Sequence, residues 1–181
     1  MFLFAHMGIT YAAARIMEKA AVWRSPGKFS DSLDYRLVFL GSILPDLIDK
    51  PLGGLVFREA LGSGRIYGHT LLFLLILFGA GIFFWSNYRK PWLLVLAGGV
   101  FFHQLLDGMW RVPQTMFWPA LGWTFPKEAP EGWLLMWLKN LTTNPSFYLP
   151  ELIGLLILIS FGIELVYRGK LRRFIKTGRI S

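Results

Sequence analysis

Residues 70–88 read TLLFLLILFGAGIFFWSNY, a stretch without a single charge. At 1.5 Å per residue a helix of this length covers about 28 Å, close to the ~30 Å hydrocarbon core of a bilayer. A helix that is apolar on every side must lie in lipid or inside a core, and the rest of the chain repeats the pattern with interruptions. Residues 91–110 form a second candidate span carrying His103 and Asp107, 149–167 a third carrying Glu151 and Glu164, and 2–23 a fourth, more amphipathic one. Leu37–Leu44 is apolar but about a third of the length a span needs, and it runs into Pro45 and Asp46, which predicts a short helix ending inside the membrane. The stretch 111–150, rich in Trp, Pro, Gly and Phe without clean periodicity, reads as an interfacial loop or re-entrant cap. The expected fold is all-α: a polytopic helical membrane protein with about four transmembrane helices plus a short half-membrane helix. Residues 1–181 would form one membrane-embedded domain.

Composition agrees. Of 181 residues 54% are hydrophobic, against roughly 45–50% apolar, glycine included, in soluble proteins. That excess argues against a water-soluble enzyme. Only 17% are charged, yet the net charge is +8, so the charges are mostly basic flanks of apolar segments. Cysteine is absent, which removes disulfide scaffolds, thiolate metal sites and cysteine nucleophiles. No Lys or Arg precedes Arg15, unlike a secretory signal, so the N-terminus reads as mature protein.

Cations retained on the cytoplasmic side set the orientation. Arg24, Lys28 and Arg36, then Arg89 and Lys90, then the tail from Arg168 to Arg179 fall at alternate ends of the segments. One topology satisfies them, with the N-terminus and residues 50–68 and 111–150 outside. Residues 126–181 then comprise an outer loop, the last span and a basic cytoplasmic tail, RGKLRRFIKTGR, with six positive charges and no acid. Such a run beside a membrane is expected to contact anionic lipid heads, not nucleic acid.

In this topology the three histidines, His6, His69 and His103, all lie near the outer ends of their segments, as do Asp46, Asp49 and Asp107. Ionisable groups in lipid are costly and point to function. His103 and Asp107, spaced i, i+4 in FFHQLLDGMW, share one helix face and can bind the same ion. Together with Asp46 and His69 they offer nitrogen and oxygen donors suited to Zn²⁺, with Mn²⁺ and Fe²⁺ compatible. His6 could hold a second ion, with Asp107 as the bridge. Paired ions would generate a hydroxide nucleophile and clamp a phosphoryl displacement. Asp46 and Asp49 could instead cap a helix after Pro45. Arg65, four residues before His69, could hold a phosphate oxygen or sit at the headgroup level as a surface charge; Lys50, directly after Asp49, carries the same two readings. The expected catalytic set is Asp49, Lys50 and Arg65.

The segments AHMGIT, GSILPDLIDKP, GRIYGHTLLF, FFHQLLDGMW and the FWP that follows resemble the LexA-binding, inner-membrane-associated metal-dependent hydrolases (YdjM-like). The resemblance covers about residues 1–125 in the expected order. The chain departs from it at Gly64 and Gly68, within the segment where many members carry HRxxTHS. The family is distantly similar to the zinc-dependent phospholipase C superfamily. By that resemblance Asp46, His69, His103 and Asp107 would surround one zinc, and His6 with the bridging Asp107 would serve another. The implied function is a membrane-embedded hydrolase acting on a phosphoester or other ester of a lipid, in the prokaryotic cytoplasmic membrane. The alternative is a membrane-bound regulatory or binding protein with a structural metal and a cytosolic protein partner.

Overall fold

The computed structural model describes residues 3–24, 33–57, 62–127 and 133–180, without the side chains of 54–55 and 133–137. The orientation cation Lys28 lies outside the described residues. Among them there is no strand. Helix α1 spans Leu3–Arg24 and α2 Tyr35–Pro51, followed by a π-helical turn at Leu52–Val56. A 3₁₀ turn at Tyr67–His69 leads into α3, Leu71–Tyr88, and α4, Trp92–Leu106. A turn at Met109–Arg111 and the one-turn α5, Pro113–Met116, lead on to α6, Trp133–Thr143, α7, Pro145–Tyr167, and α8, Leu171–Thr177.

Local signals place the helix ends. The Thr70 hydroxyl accepts from Phe73 N at 3.0 Å and opens α3, while Arg89 in the left-handed region (φ 55°) closes it. Helix α2 lies along α4 and α1 along α7, with α3 flanking α4. Two glycine pairs permit the closest approaches. Gly8 faces Gly154 between α1 and α7, and a Cβ on Gly99 of α4 would stand 2.8 Å from the Gly41 Cα of α2.

The expected half-membrane helix needs correction. Helix α2 does not stop at Pro45 but runs through it to Pro51. A proline removes one backbone hydrogen bond and crowds the carbonyl four residues earlier, here Gly41, where α2 is clamped onto α4. Tertiary packing outweighs the local breaker. Asp46 and Asp49 consequently sit in the last turns of α2 and do not cap a new helix. The stretch 111–150 also proves more regular than expected, since it contains α6, and α7 begins at Pro145 and continues through Pro150.

The four-span count is not confirmed. Two helices, α3 and α7, are long and apolar enough to cross a membrane by length and composition. Helix α4 is apolar but has 15 residues, and α1, with 22, carries Arg15, Glu18, Lys19 and Arg24. Part of that charge is satisfied inside the bundle. Glu18, 8% exposed, accepts from Tyr35 Oη at 2.7 Å and from Arg15 Nη1 at 2.9 Å, and Arg15 Nη2 also lies 4.0 Å from Glu164 Oε1 of α7. Tyr11, Tyr35, Val38, Phe161, Leu165 and Ile180 form the apolar core at this end.

Candidate metal centre

The end of the bundle opposite that core gathers the start of α1, the end of α2, the turn before α3 and the end of α4. Each brings a polar side chain into a place where little else is polar. His6, His69 and His103 are fully buried, as is Asp49.

His69 is fixed first. The Asp49 carboxylate accepts backbone N–H bonds from Ile66 (2.7 Å), Gly68 (2.8 Å) and His69 (3.2 Å), wrapping the turn around itself. It also meets His69 Nδ1 at 2.7 Å. A carboxylate only accepts, so Nδ1 carries a hydrogen toward Asp49, and Nε2 is the atom turned to the cluster. Gln104 staples the turn to α4 by donating to the carbonyls of Gly68 (3.2 Å) and Thr70 (3.0 Å). His103 is pinned the same way, with Nδ1 2.7 Å from the Ser42 carbonyl. Its Nε2 is likewise turned to the cluster, and it lies 3.1 Å from His69 Nε2.

In two neutral rings held this way, lone pairs face each other at that distance, and a proton or a metal ion between them relieves the repulsion. The separation suits a metal, since two ligands on a tetrahedral zinc at ~2.0–2.1 Å stand about 3.3 Å apart. The oxygens are in place. Asp46 Oδ1 lies 3.7 Å from His69 Nε2 and 4.0 Å from His103 Nε2, and Asp107 Oδ2 lies 3.8 Å from His69 Nε2. His6 stacks on His103 at 4.1 Å between ring centroids. Its Nε2 stands 3.1 Å from Asp107 Oδ1, close enough for an ion pair. Two overlapping groups, His6–Asp46–His103 and His69–His103–Asp107, could each hold a metal ion. All five residues named as ligands from the sequence fall in this cluster.

The three residues expected to do chemistry are placed differently. Asp49 stands behind His69, enclosed and away from solvent. Lys50 pairs with Asp46 Oδ2 at 2.7 Å, and Arg65 pairs through Nε with Asp107 Oδ2 at 2.9 Å. Each cation therefore neutralises the outer side of a carboxylate whose residue faces the histidines. Above the His69 turn, Tyr67 packs edge-on against Trp118 and Phe125, each at 5.2 Å.

Sequence reasoning missed the supporting residues. Gln104 carried a signal, being an amide in an otherwise apolar helix beside His103. The Ser42 carbonyl carried none. Glu151 was visible as an acid in an apolar segment, and its role is to accept from the first free N–H groups of α1, Phe4 at 3.0 Å and Ala5 at 3.1 Å.

Fold and site together define an all-helical membrane protein whose helix ends converge on a His/Asp group able to hold a metal ion. The chain belongs to the YdjM inner membrane protein family, whose family model matches residues 1–171. It is an inner membrane protein. No curated protein and no solved structure gives a significant match.

Proposed function

We propose that the protein is a metal-dependent hydrolase that cleaves a phosphoester, or another ester, of a lipid at one end of its helical bundle. The observation that carries this reading is the pair of imidazole Nε2 atoms 3.1 Å apart within reach of two carboxylates. His69, His103, Asp46 and Asp107 would hold the first ion, and His6 with Asp107 would serve a second. Neutral nitrogen and carboxylate oxygen donors suit Zn²⁺, with Mn²⁺ and Fe²⁺ compatible. When bound, such an ion supplies an acidified water and polarises a phosphoryl oxygen.

The chain's own residues do the rest. Asp49 acts through His69 as a positioning residue, holding its tautomer and ring plane. Ser42 does the same for His103 through its carbonyl. Arg65 and Lys50 rim the cluster and favour an anionic group, Arg65 with a planar fork matched to phosphate oxygens. The Arg65 fork beside a nitrogen and oxygen donor set supports the phosphoester class, and the apolar helices support a lipid substrate. The basic flanks support the extracytoplasmic side as the location of the centre.

A second reading, a regulatory or binding protein with a structural metal and a cytosolic partner, is favoured by one observation: both rim cations are engaged by the ligand carboxylates. Elemental analysis of the purified protein, followed by a screen of phospholipids and isoprenoid phosphates, separates the two. Bound metal with phosphate release supports the hydrolase. Bound metal with no turnover on any ester favours the structural role, and absence of metal from protein purified without chelator refutes both.

A further inference from the structure

Residues beyond 171 lie outside the family match, yet they are folded against the bundle at the end opposite the metal centre. Tyr35 N donates to the Gly178 carbonyl at 2.9 Å, Arg36 Nη1 donates to the carbonyls of Ile175 (2.9 Å) and Lys176 (3.3 Å), and Lys170 Nζ donates to that of Ile180 (2.9 Å). Ile180 is 3% exposed and belongs to the apolar core. Gly178 is required at its place, with φ +71° and the Asp34 carboxylate where a Cβ would stand. Asp34 is itself held by Arg36, whose side-chain hydrogen bond keeps that carboxyl below the ordinary carboxylate range.

This docking lays α8 across the bundle where α7 ends. Phe174 turns toward the core. Leu171 and Ile175, four residues apart and so on one stripe, are exposed at 46% and 63%. Arg172 and Lys176, on the neighbouring stripe, are exposed as well, and so is Arg179. An exposed apolar stripe bordered by cations is the pattern of a helix lying in the headgroup plane, with the apolar side in the acyl boundary. Two acids at this end of the bundle, Asp34 and Glu164, are paired with Arg36 and Arg168.

We propose that α8 and the residues after it form a docked interfacial anchor that binds anionic phospholipid headgroups through Arg172, Lys176 and Arg179, with Leu171 and Ile175 inserted beside them. Anionic lipid is favoured over nucleic acid because the charged stripe borders an apolar stripe and adjoins a helix able to cross the membrane.

The test uses the full chain in nanodiscs of phosphatidylcholine with and without phosphatidylglycerol. The readouts are enrichment of phosphatidylglycerol among co-purified lipids and the emission of an environment-sensitive dye on Ile175→Cys, the only cysteine in the protein. Wild type should enrich phosphatidylglycerol, and the dye should shift to the blue in its presence. Each of R172Q, K176Q and R179Q should lower the apparent affinity about fivefold. The conservative R172K/R179K should keep it, which separates lost charge from misfolding. Equal enrichment by wild type and the triple Gln variant overturns the proposal. So does displacement of phosphatidylglycerol by single-stranded RNA or by inorganic phosphate.

Discussion

Asp49→Asn is the most informative change near the centre because it alters one atom of a buried carboxylate and removes its charge. Asp49 is fully buried and accepts four bonds, with Oδ1 receiving Gly68 N and Oδ2 receiving Ile66 N, His69 N and His69 Nδ1. Asparagine keeps one acceptor oxygen and puts an N–H₂ in the other place. If the amide nitrogen takes the Oδ2 position, three donors face a donor. The cheaper orientation places it at Oδ1, where Gly68 N–H alone loses its acceptor, at a cost of about 1–3 kcal/mol. His69 meanwhile loses a charged partner that raises the basicity of Nε2. Loss of such outer partners typically lowers metal affinity 10–100-fold, or about 1.4–2.7 kcal/mol. Zinc affinity measured by competition with a fluorescent chelator, together with thermal unfolding with and without EDTA, reads both effects. Asp49→Asn should fold, unfold at lower temperature, and bind zinc at least tenfold more weakly. Unchanged zinc affinity in a folded variant would refute the claim that Asp49 acts through His69.

Four further outcomes are expected. His103→Ala should abolish bound metal, because His103 belongs to both donor groups, whereas His6→Ala should at most halve the stoichiometry; elemental analysis distinguishes the two. Gly99→Ala should push α2 from α4 and cost about 1–3 kcal/mol by overpacking, visible as a lower unfolding temperature and weaker zinc binding. Glu151→Gln removes the carboxylate that accepts from Phe4 and Ala5, and should cost about 1–2 kcal/mol with metal content unchanged. Since the chain has no native cysteine, cysteines at the exposed Trp123 and Arg168 can be labelled without background; Trp123→Cys should react from outside and Arg168→Cys only after the membrane is opened, and the reverse would put the centre on the cytoplasmic side.

The parts of this arrangement legible in the sequence are those fixed by short-range periodicity. His103 and Asp107 could be paired because four residues is one helical turn, and α3 could be read because every face of it is apolar. The placement of His6, His69, His103 and Asp107 near the outer ends of their segments followed from the alternation of the basic flanks. What stayed hidden depends on contacts distant in the chain. Pro45 looks like a stop because the breaker is local, whereas the clamp that carries α2 past it comes from Gly99, more than fifty residues later. Asp49 looks like a reactive acid until the turn at Tyr67–His69 folds back over it, and no spacing rule encodes three amides converging on one carboxylate. Helix α6 was obscured by the Trp, Pro and Gly around it.

The charge balance of the centre suggests how binding and substrate choice are linked. Asp46, Asp49 and Asp107 bring three carboxylates to the centre, and Lys50 and Arg65 pair with two of them, Asp46 and Asp107. Carboxylates attract a divalent cation, and the two positive charges it adds favour an anion afterwards; in a buried setting such charges act strongly. The ion would also draw on the carboxylates that Lys50 and Arg65 now neutralise, weakening those pairs and freeing cationic character for an incoming phosphate. Arg65→Lys separates this from a structural metal, because the ammonium keeps the charge but loses the planar fork. With metal content unchanged, phosphoester turnover should fall tenfold to a thousandfold, about 1.4–4 kcal/mol in the barrier. Equal turnover by the two metal-loaded proteins would remove Arg65 from the chemistry and leave its pair with Asp107 as charge compensation alone.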